Sequence, residues 1–284
     1  MELVLVSGVG GLPQVLAANL ESAGSAFLVY EIEGFENKGL EKYSPQTLIL
    51  EHLGSFIDQL KKIGIKQICF AGSITRPNLN FSLVDELTLP LVPVIAEALK
   101  HGDDQALRLI LSIFEDSGFK ILGAHEICPE LLISAGVHSE IQPEPSDYKD
   151  AQKAEELMIG LSPFDIGQSC IVSSGQVLGI ETSSGTDMML ESIGFIKSLK
   201  VVEKSKFLCD DDQKLVKNGL LYKAAKIGQD LRVDMPVIGP ETFCLANKVG
   251  IKGVVIKFGN ALVLNYEECL RLSNSFGLFF LVEK

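Results

Sequence analysis

Positive charge is in deficit in this chain, and tryptophan is missing altogether. Its 284 residues carry 25 lysines and arginines against 37 aspartates and glutamates, a formal net charge of −12. A nucleic-acid backbone as the main partner needs clustered Lys and Arg, so that class is excluded, and an anionic small ligand must be met by local groups. Long apolar runs are also missing. Nothing approaches the ~18 to 20 residues of a membrane span, and Met1-Glu-Leu-Val-Leu-Val6 enters a strand-like pattern with no cleavable signal, which predicts a cytoplasmic protein. The six cysteines (Cys69, Cys128, Cys170, Cys209, Cys244, Cys269) are isolated and form no CxxC pair, so they are expected to be reduced packing residues. The histidines His52, His101, His125 and His138 show no H-x-x-x-H or D-x-H spacing, which argues against a histidine-bound dinuclear metal site. Internal repeats and low-complexity tracts are absent as well.

What is present reads as α/β grammar. Leu3 to Val6, Ala26 to Ile32 and Gln67 to Phe70 have strand patterns, and Pro13 to Ser22 and Ser55 to Ile63 have helical ones. A helix is expected from Gly102-Asp-Asp104 to Ser117, followed by a strand at Lys120 to Leu122. The apolar pattern lapses at Gln142-Pro-Glu-Pro-Ser-Asp147, which places a domain boundary there, with domains over 1–145 and 146–284. Beyond it come a helix (Ala151 to Ile159), a hairpin of Ser169 to Val172 and Val177 to Glu181 turning at Ser173-Ser-Gly-Gln176, strands at Gly253 to Ile256 and Leu262 to Leu264, a helix (Glu267 to Asn274) and a strand (Leu278 to Val282).

Sheets of this kind bind ligands outside the carboxyl ends of their strands. Two loops qualify. Ser7-Gly-Val-Gly-Gly-Leu-Pro13 follows a strand and opens a helix, so the backbone at Gly10, Gly11, Leu12 and Pro13 could cradle a phosphate. A dinucleotide fingerprint is its rival, with Glu31 about 20 residues on as the ribose acid, but Pro13 stands at the third glycine. Gly72-Ser-Ile-Thr-Arg-Pro77 offers Ser73, Thr75 and Arg76 as donors, the arginine fork being suited to phosphate. In Gly123-Ala-His-Glu126, His125 is either a catalytic or binding group or a hydrogen-bonded structural histidine. In Ser183-Ser-Gly-Thr-Asp187, Thr186 and Asp187 either cap the helix that follows or place a carboxylate at a metal. The run Asp210-Asp-Asp212 reads as a solvated turn.

The densest chemistry lies between Lys223 and Thr242. Lys223, Lys226 and Arg232 bring positive charge, Gly228 and Gly239 permit close backbone approach, and Asp230 and Asp234 can hold a divalent cation or activate water. Gly239-Pro-Glu-Thr242 looks like a helix start. Such a set suits phosphoryl chemistry, in which the charge of a pyrophosphate is neutralised while water attacks in line.

In order along the chain, the Gly10-Gly-Leu-Pro13 turn, Arg76-Pro77, Gly102-Asp-Asp104, Gly123-Ala-His-Glu126 with Pro129-Glu-Leu-Leu132, Asp165-Ile-Gly-Gln168, Gly185-Thr-Asp187 and Gly228-Gln-Asp230 through Gly239-Pro240 resemble the LpxI-type UDP-2,3-diacylglucosamine diphosphatases of lipid A biosynthesis. The resemblance implies hydrolysis of a nucleotide-sugar pyrophosphate, dependent on Mg²⁺ (or Mn²⁺), to UMP and 2,3-diacylglucosamine 1-phosphate. It also implies a Rossmann-like N-terminal α/β domain binding nucleotide and diphosphate, a catalytic C-terminal α/β domain with a mixed sheet, and substrate in the interdomain cleft. From spacing, and not from the resemblance, Asp234, which enters the Met235-Pro-Val-Ile-Gly-Pro240 turn, is taken as the catalytic aspartate with Asp230 its rival, and Asp234, Asp230 and Asp187 are the metal candidates. The N-terminal substrate contacts are the Gly10–Pro13 turn, Ser73, Arg76 and His125. The C-terminal ones are Gln168, Thr186, Lys223, Arg232, Gly239 and Thr242. The partners expected are the lipid-linked substrate and, transiently, the inner-membrane surface, with a homodimer left open. Two readings of other classes stand beside it: a non-catalytic nucleotide-sugar binding protein and a dinucleotide-dependent oxidoreductase.

Overall fold

A computed structural model describes residues 2–75, 77–100, 102–202 and 219–284. Arg76, His101, Cys209 and Asp210-Asp-Asp212 therefore lie outside the described residues. The chain forms two units, Met1–Glu130 with Asp230–Asp234, and Leu131–Gln229 with Met235–Lys284.

The first unit contains β1 (Leu3–Ser7), α1 (Gly11–Ser22), β2 (Phe27–Ile32), β3 (Gln46–Leu48), α2 (Leu53–Lys62), β4 (Gln67–Ala71), α3 (Val92–Ala98), α4 (Asp103–Asp116), β5 (Lys120–Leu122) and α5 (Ala124–Ile127). Its five strands run parallel in the order β3-β2-β1-β4-β5. β1 is buried along its whole length, as a parallel strand covered on both faces must be. Val4 and Val6 join Tyr30, Phe56, Leu60, Leu111 and Phe114 in one core, which sets α2, α3 and α4 on that face. Leu3 and Leu5 alternate to the other face, where α1 supplies Leu16, Ala17 and Leu20. β1 lies between β2 and β4, so the strand order reverses at β1/β4, the place where sheets of this kind have their switch point.

The short turn Asp230–Asp234 completes this unit. Val233 packs against its core, and the Asp230 amide donates to Asp104 Oδ1 on α4 at 3.3 Å.

The second unit comprises β6 (Gly136–Val137), α6 (Pro145–Leu161), β7 (Ser169–Ser173), β8 (Gln176–Ile180), α7 (Gly185–Val202), β9 (Leu220–Lys223), β10 (Val237–Ile238), α8 (Pro240–Val249), β11 (Gly253–Lys257), β12 (Leu262–Val263), α9 (Tyr266–Phe276) and β13 (Phe279–Glu283). Its mixed sheet has the order β6-β13-β11-β9-β7-β8, with β9, β11 and β13 parallel and the rest antiparallel, while β10 and β12 pair separately. Alternation sorts the side chains. Ile171, Leu221, Val254, Ile256, Phe280 and Val282 face α7, α8 and α9, whereas Cys170, Val172, Leu220, Tyr222, Val255, Phe279 and Leu281 face α6.

Three expectations change. The boundary expected after residue 145 falls at Glu130/Leu131, because β6 pairs antiparallel with β13 and so belongs to the second sheet. The acid-and-proline stretch around 142–147 is a helix start rather than a linker: Pro145 opens α6, and Asp147 Oδ2 accepts the Glu144 amide at 2.8 Å. Among the cysteines, Cys69, Cys128, Cys170 and Cys269 are buried packing residues, with the Cys69 thiol pushed up to about 12 by burial, but Cys244 is exposed. Among the described residues, no helix is long and apolar enough to cross a membrane.

Phe243 is fully buried and meets Phe280 edge-on at 5.1 Å in the second core. Phe243→Ala is expected to cost about 3–5 kcal/mol of unfolding free energy, read by urea denaturation.

Candidate functional site

The glycine turn after β1 is held from three sides. The Gly8 amide donates to Ala71 O at 2.8 Å, and Val9 and Ser73 exchange backbone hydrogen bonds of 2.9 and 2.8 Å, so the loops after β1 and β4 are tied together. The approach is close enough that a Cβ at Gly8 would stand 2.5 Å from the Ser73 carbonyl oxygen. Gly10 adopts φ 106°, a conformation that favours glycine, and leads into α1 with no capping side chain and no acid in its first turn. The first amides of α1 are thus uncapped by side chains, the arrangement that suits an anion.

Asn37, which the sequence patterns did not single out, clamps this turn. Its buried side chain donates from Nδ2 to Gly8 O at 3.1 Å and Gly10 O at 2.8 Å, while Oδ1 accepts Gln14 Nε2 at 2.8 Å. The Asn37 amide in turn donates to Glu31 Oε1 at 2.9 Å. The Glu31 carboxylate thus anchors the clamp. The only sequence signal was a pair of hydrogen-bonding residues near strand ends, which is common in any α/β chain. Ser73 itself is exposed, Gly11 is exposed, Leu12 is half-buried and Pro13 is buried.

In the Asp230–Asp234 turn, Arg232 bonds back to Asp230 with two parallel contacts, Nε to Oδ1 at 2.9 Å and Nη2 to Oδ2 at 2.6 Å, and reaches Glu115 through Nη1 at 2.6 Å. These hydrogen bonds hold the Asp230 carboxyl below the ordinary aspartate value of 3.8, against the opposing effect of burial. Arg232 is therefore already engaged by two carboxylates, and Asp230 carries both oxygens on the guanidinium. Asp234 follows with its amide on Asp230 O at 3.1 Å. His125 lies over Gly123, next to the Arg232 backbone, and its buried Nδ1 has no hydrogen-bond partner among the described residues. A ligand group is one way to satisfy such an atom.

In the second unit the strand ends converge on a polar network. Ser169 opposes Lys223 across β7 and β9, and both lie on the face that holds Ile171 and Leu221, at the edge where the apolar residues stop. Lys223 Nζ donates to Thr186 Oγ1 at 2.8 Å, Thr186 Oγ1 donates to Glu181 Oε2 at 2.9 Å, and Ser169 Oγ donates to the same Oε2 at 2.5 Å. Gln168 is adjacent, its carbonyl accepting the Ala224 amide at 3.0 Å. Lys226 pairs with Asp165 beside it. The structure thus brings Thr186, Lys223 and Gln168 together around Ser169 and Glu181, which sequence reasoning missed: Glu181 looked like the end of a hairpin strand.

Other candidates have local explanations. Thr242 Oγ1 accepts the Gly239 amide at 3.3 Å, so these two residues form the start of α8. Asp187 is exposed in the first turn of α7. Among the described residues, no group of three or more His, Cys, Asp or Glu side chains is placed to hold a metal ion.

A parallel sheet with a bridged glycine turn at its switch point, joined in sequence to a mixed-sheet unit with a lysine network at its strand ends, defines a two-unit α/β protein. Residues 2–131 match the LpxI N-terminal domain and residues 134–281 the LpxI C-terminal domain. The chain is also 33% identical over 280 residues to a protein of Caulobacter vibrioides named UDP-2,3-diacylglucosamine pyrophosphatase LpxI, an alignment covering 99% of this chain and 96% of that one. The chain belongs to the LpxI family.

Two expectations follow. Asn37→Ala leaves the carbonyls of Gly8 and Gly10 without their amide donor and should lower unfolding free energy by about 1–3 kcal/mol, measured in urea. For Asp230, a folded pKa below the unfolded one means the Arg232 pair stabilises the fold above the unfolded value and is lost as pH falls through the folded one. The stability advantage of wild type over Asp230→Asn should be level near neutral pH and shrink below about pH 4, followed by urea melts across pH.

Proposed function

We propose that the protein hydrolyses UDP-2,3-diacylglucosamine to UMP and 2,3-diacylglucosamine 1-phosphate, acting as a nucleotide-sugar lipid diphosphatase of lipid A biosynthesis. The observation that carries this reading is the match over 99% of the chain to a relative named for that pyrophosphatase activity. The geometry supports it. The strand order of the first sheet is that of Rossmann-like folds, with the bridged Gly8–Pro13 turn at the switch point, where nucleotides and their phosphates are met by backbone amides. Lys223 supplies a cation at the carboxyl end of β9.

In this reading the uncapped amides of α1 orient a phosphate, His125 Nδ1 takes a polar substrate atom, Lys223 neutralises the diphosphate, and Asp234 or Asp230 accepts the proton of the attacking water. Mg²⁺ would lower the cost of the charge that builds up on the diphosphate. It commonly takes one or two carboxylates and draws its other ligands from phosphate and water. Asp234 and Asp230 would be its carboxylates, with Asp187 a third candidate, and Asp230 would first have to release Arg232. The service of one substrate by residues of both units belongs to this proposal and rests on the family likeness. So does a cytoplasmic location with transient contact at the inner leaflet, where the lipid resides.

The purified protein should release UMP from UDP-2,3-diacylglucosamine, and EDTA should stop it. Asp234→Ala should lower turnover by orders of magnitude while substrate still raises the melting temperature, because a base acts chiefly in the transition state. Substrate that is bound and never cleaved by wild type would instead indicate a binding protein. Stabilisation by NAD(H) or NADP(H) would indicate an oxidoreductase.

A further inference from the structure

Among the described residues, three carboxylates are buried: Asp147, Asp150 and Glu181. Two have evident structural tasks. Asp147 starts α6 and pairs with Lys252 at 2.7 Å, and Asp150 accepts the amides of Ser174 and Gly175 at 2.7 Å each, holding the β7–β8 turn. Glu181 is different. At 9% exposure it directs one oxygen to two hydroxyls, and one of those hydroxyls receives a lysine. A carboxylate taken out of water must be compensated by donors or a cation, and here two hydroxyls and, beyond one of them, the Lys223 ammonium supply them.

The direction of each hydrogen bond follows from the chemistry. An ionised carboxylate only accepts, so the hydrogens of Ser169 and Thr186 must point at Glu181 Oε2. Thr186 Oγ1 then has only lone pairs to offer Lys223, whose ammonium only donates. The three groups form a chain with one permitted polarity, Lys223 to Thr186 to Glu181. The backbone supports it: the Glu181 amide donates to Ser169 O at 2.9 Å, and a Cβ at Gly167 would stand 2.2 Å from Glu181 O, so the 165–168 turn closes directly over the carboxylate residue.

We propose that Glu181 is a positioning residue that fixes, through Thr186, the direction in which Lys223 presents its ammonium to an anionic oxygen of a bound diphosphate. This rests on the reading of Lys223 as a diphosphate contact given above. A neutral amide at position 181 keeps the shape but removes the charge, and in one orientation it turns a donor toward Thr186, whose own hydroxyl hydrogen then loses its acceptor.

The test is a double-mutant cycle on UMP release from UDP-2,3-diacylglucosamine, with a binding arm using inorganic pyrophosphate and no sugar. Glu181→Gln and Thr186→Val, each checked for a wild-type circular dichroism spectrum, should lower kcat/KM by about tenfold to a hundredfold, and Thr186→Ser should stay within about threefold of wild type. In a Lys223→Met background, Glu181→Gln should cost less than about twofold more, since the group it positions is gone. A wild-type kcat/KM in Glu181→Gln or Thr186→Val, or a Glu181→Gln loss equally large with and without Lys223, would overturn the proposal. Should Glu181→Gln fail to fold, Thr186→Val carries the same cycle. If wild type releases no UMP, the hydrolase reading fails, and the binding arm decides this inference separately. Pyrophosphate should raise the melting temperature of wild type, less so that of Glu181→Gln, and not that of Lys223→Met. An equal shift in wild type and Glu181→Gln, or no shift in wild type, would sink it.

Discussion

A strand buried on both faces has no place along its length for a polar side chain, and that constraint arranges both halves of this molecule. β1 is buried from Leu3 to Ser7, and β7 from Ser169 to Ser173, so the serines that begin or end these strands mark the points where apolar packing stops. Everything with chemistry in it is pushed to the strand ends. In the first unit this yields the glycine turn and the Ser73 loop, side by side because β1 and β4 are neighbours. In the second it yields Ser169 and Lys223, side by side because β7 and β9 pair in that register. These clusters are consequences of sheet order, since the same residues on non-adjacent strands would not meet.

Charge is handled in a matching way. In a chain with an excess of acids, the cations near the polar turns are each held by a specific carboxylate or hydroxyl: Arg232 by Asp230 and Glu115, Lys226 by Asp165, Lys223 by Thr186 and behind it Glu181. Arginine and lysine differ here in a useful respect. The planar fork of Arg232 makes a two-point contact with Asp230 inside the turn, and its Nη1 reaches Glu115 on α4. The ammonium of Lys223 is a point charge on a flexible stem, and such a group has a defined direction only where its neighbours impose one.

Much of this was legible in the sequence, for identifiable reasons. Strands such as Gly253–Lys257 and Phe279–Glu283 are near-continuous apolar runs, and the hairpin at Ser173-Ser-Gly-Gln176 has turn chemistry between two such runs, so local pattern sufficed. β6 and β10 are two residues long, too short to show any period. The start of α6 was hidden because Pro145-Ser-Asp-Tyr-Lys-Asp150 is polar in composition, although proline and an acid are what a first turn favours. The assignment of Asp230 and Asp234 to the C-terminal domain followed chain contiguity. Their membership in the first unit depends on Val233, Asp104 and Glu115, contacts made across more than a hundred residues that no local pattern announces. Thr186 and Lys223 could be named because they stand in motifs, while Glu181 acquires meaning only once β8 brings it opposite Ser169.

Glu31 shows how a tertiary contact can redirect a motif. In sequence it stands where a dinucleotide-binding fold keeps the acid that takes a ribose hydroxyl, and the Gly8-Val-Gly10 start of the fingerprint encourages that reading. In the fold, one of its oxygens accepts the Asn37 amide, and the Asn37 side chain reaches forward to the carbonyls of Gly8 and Gly10. The acid thus acts on the turn from behind, by ordering the loop that clamps it. A glycine turn fixed in this way presents an unchanging set of α1 amides, and the spacing between glycine turn and acid is explained without a nicotinamide or flavin. The Val9–Ser73 bridge ties the same turn to the adjacent loop after β4.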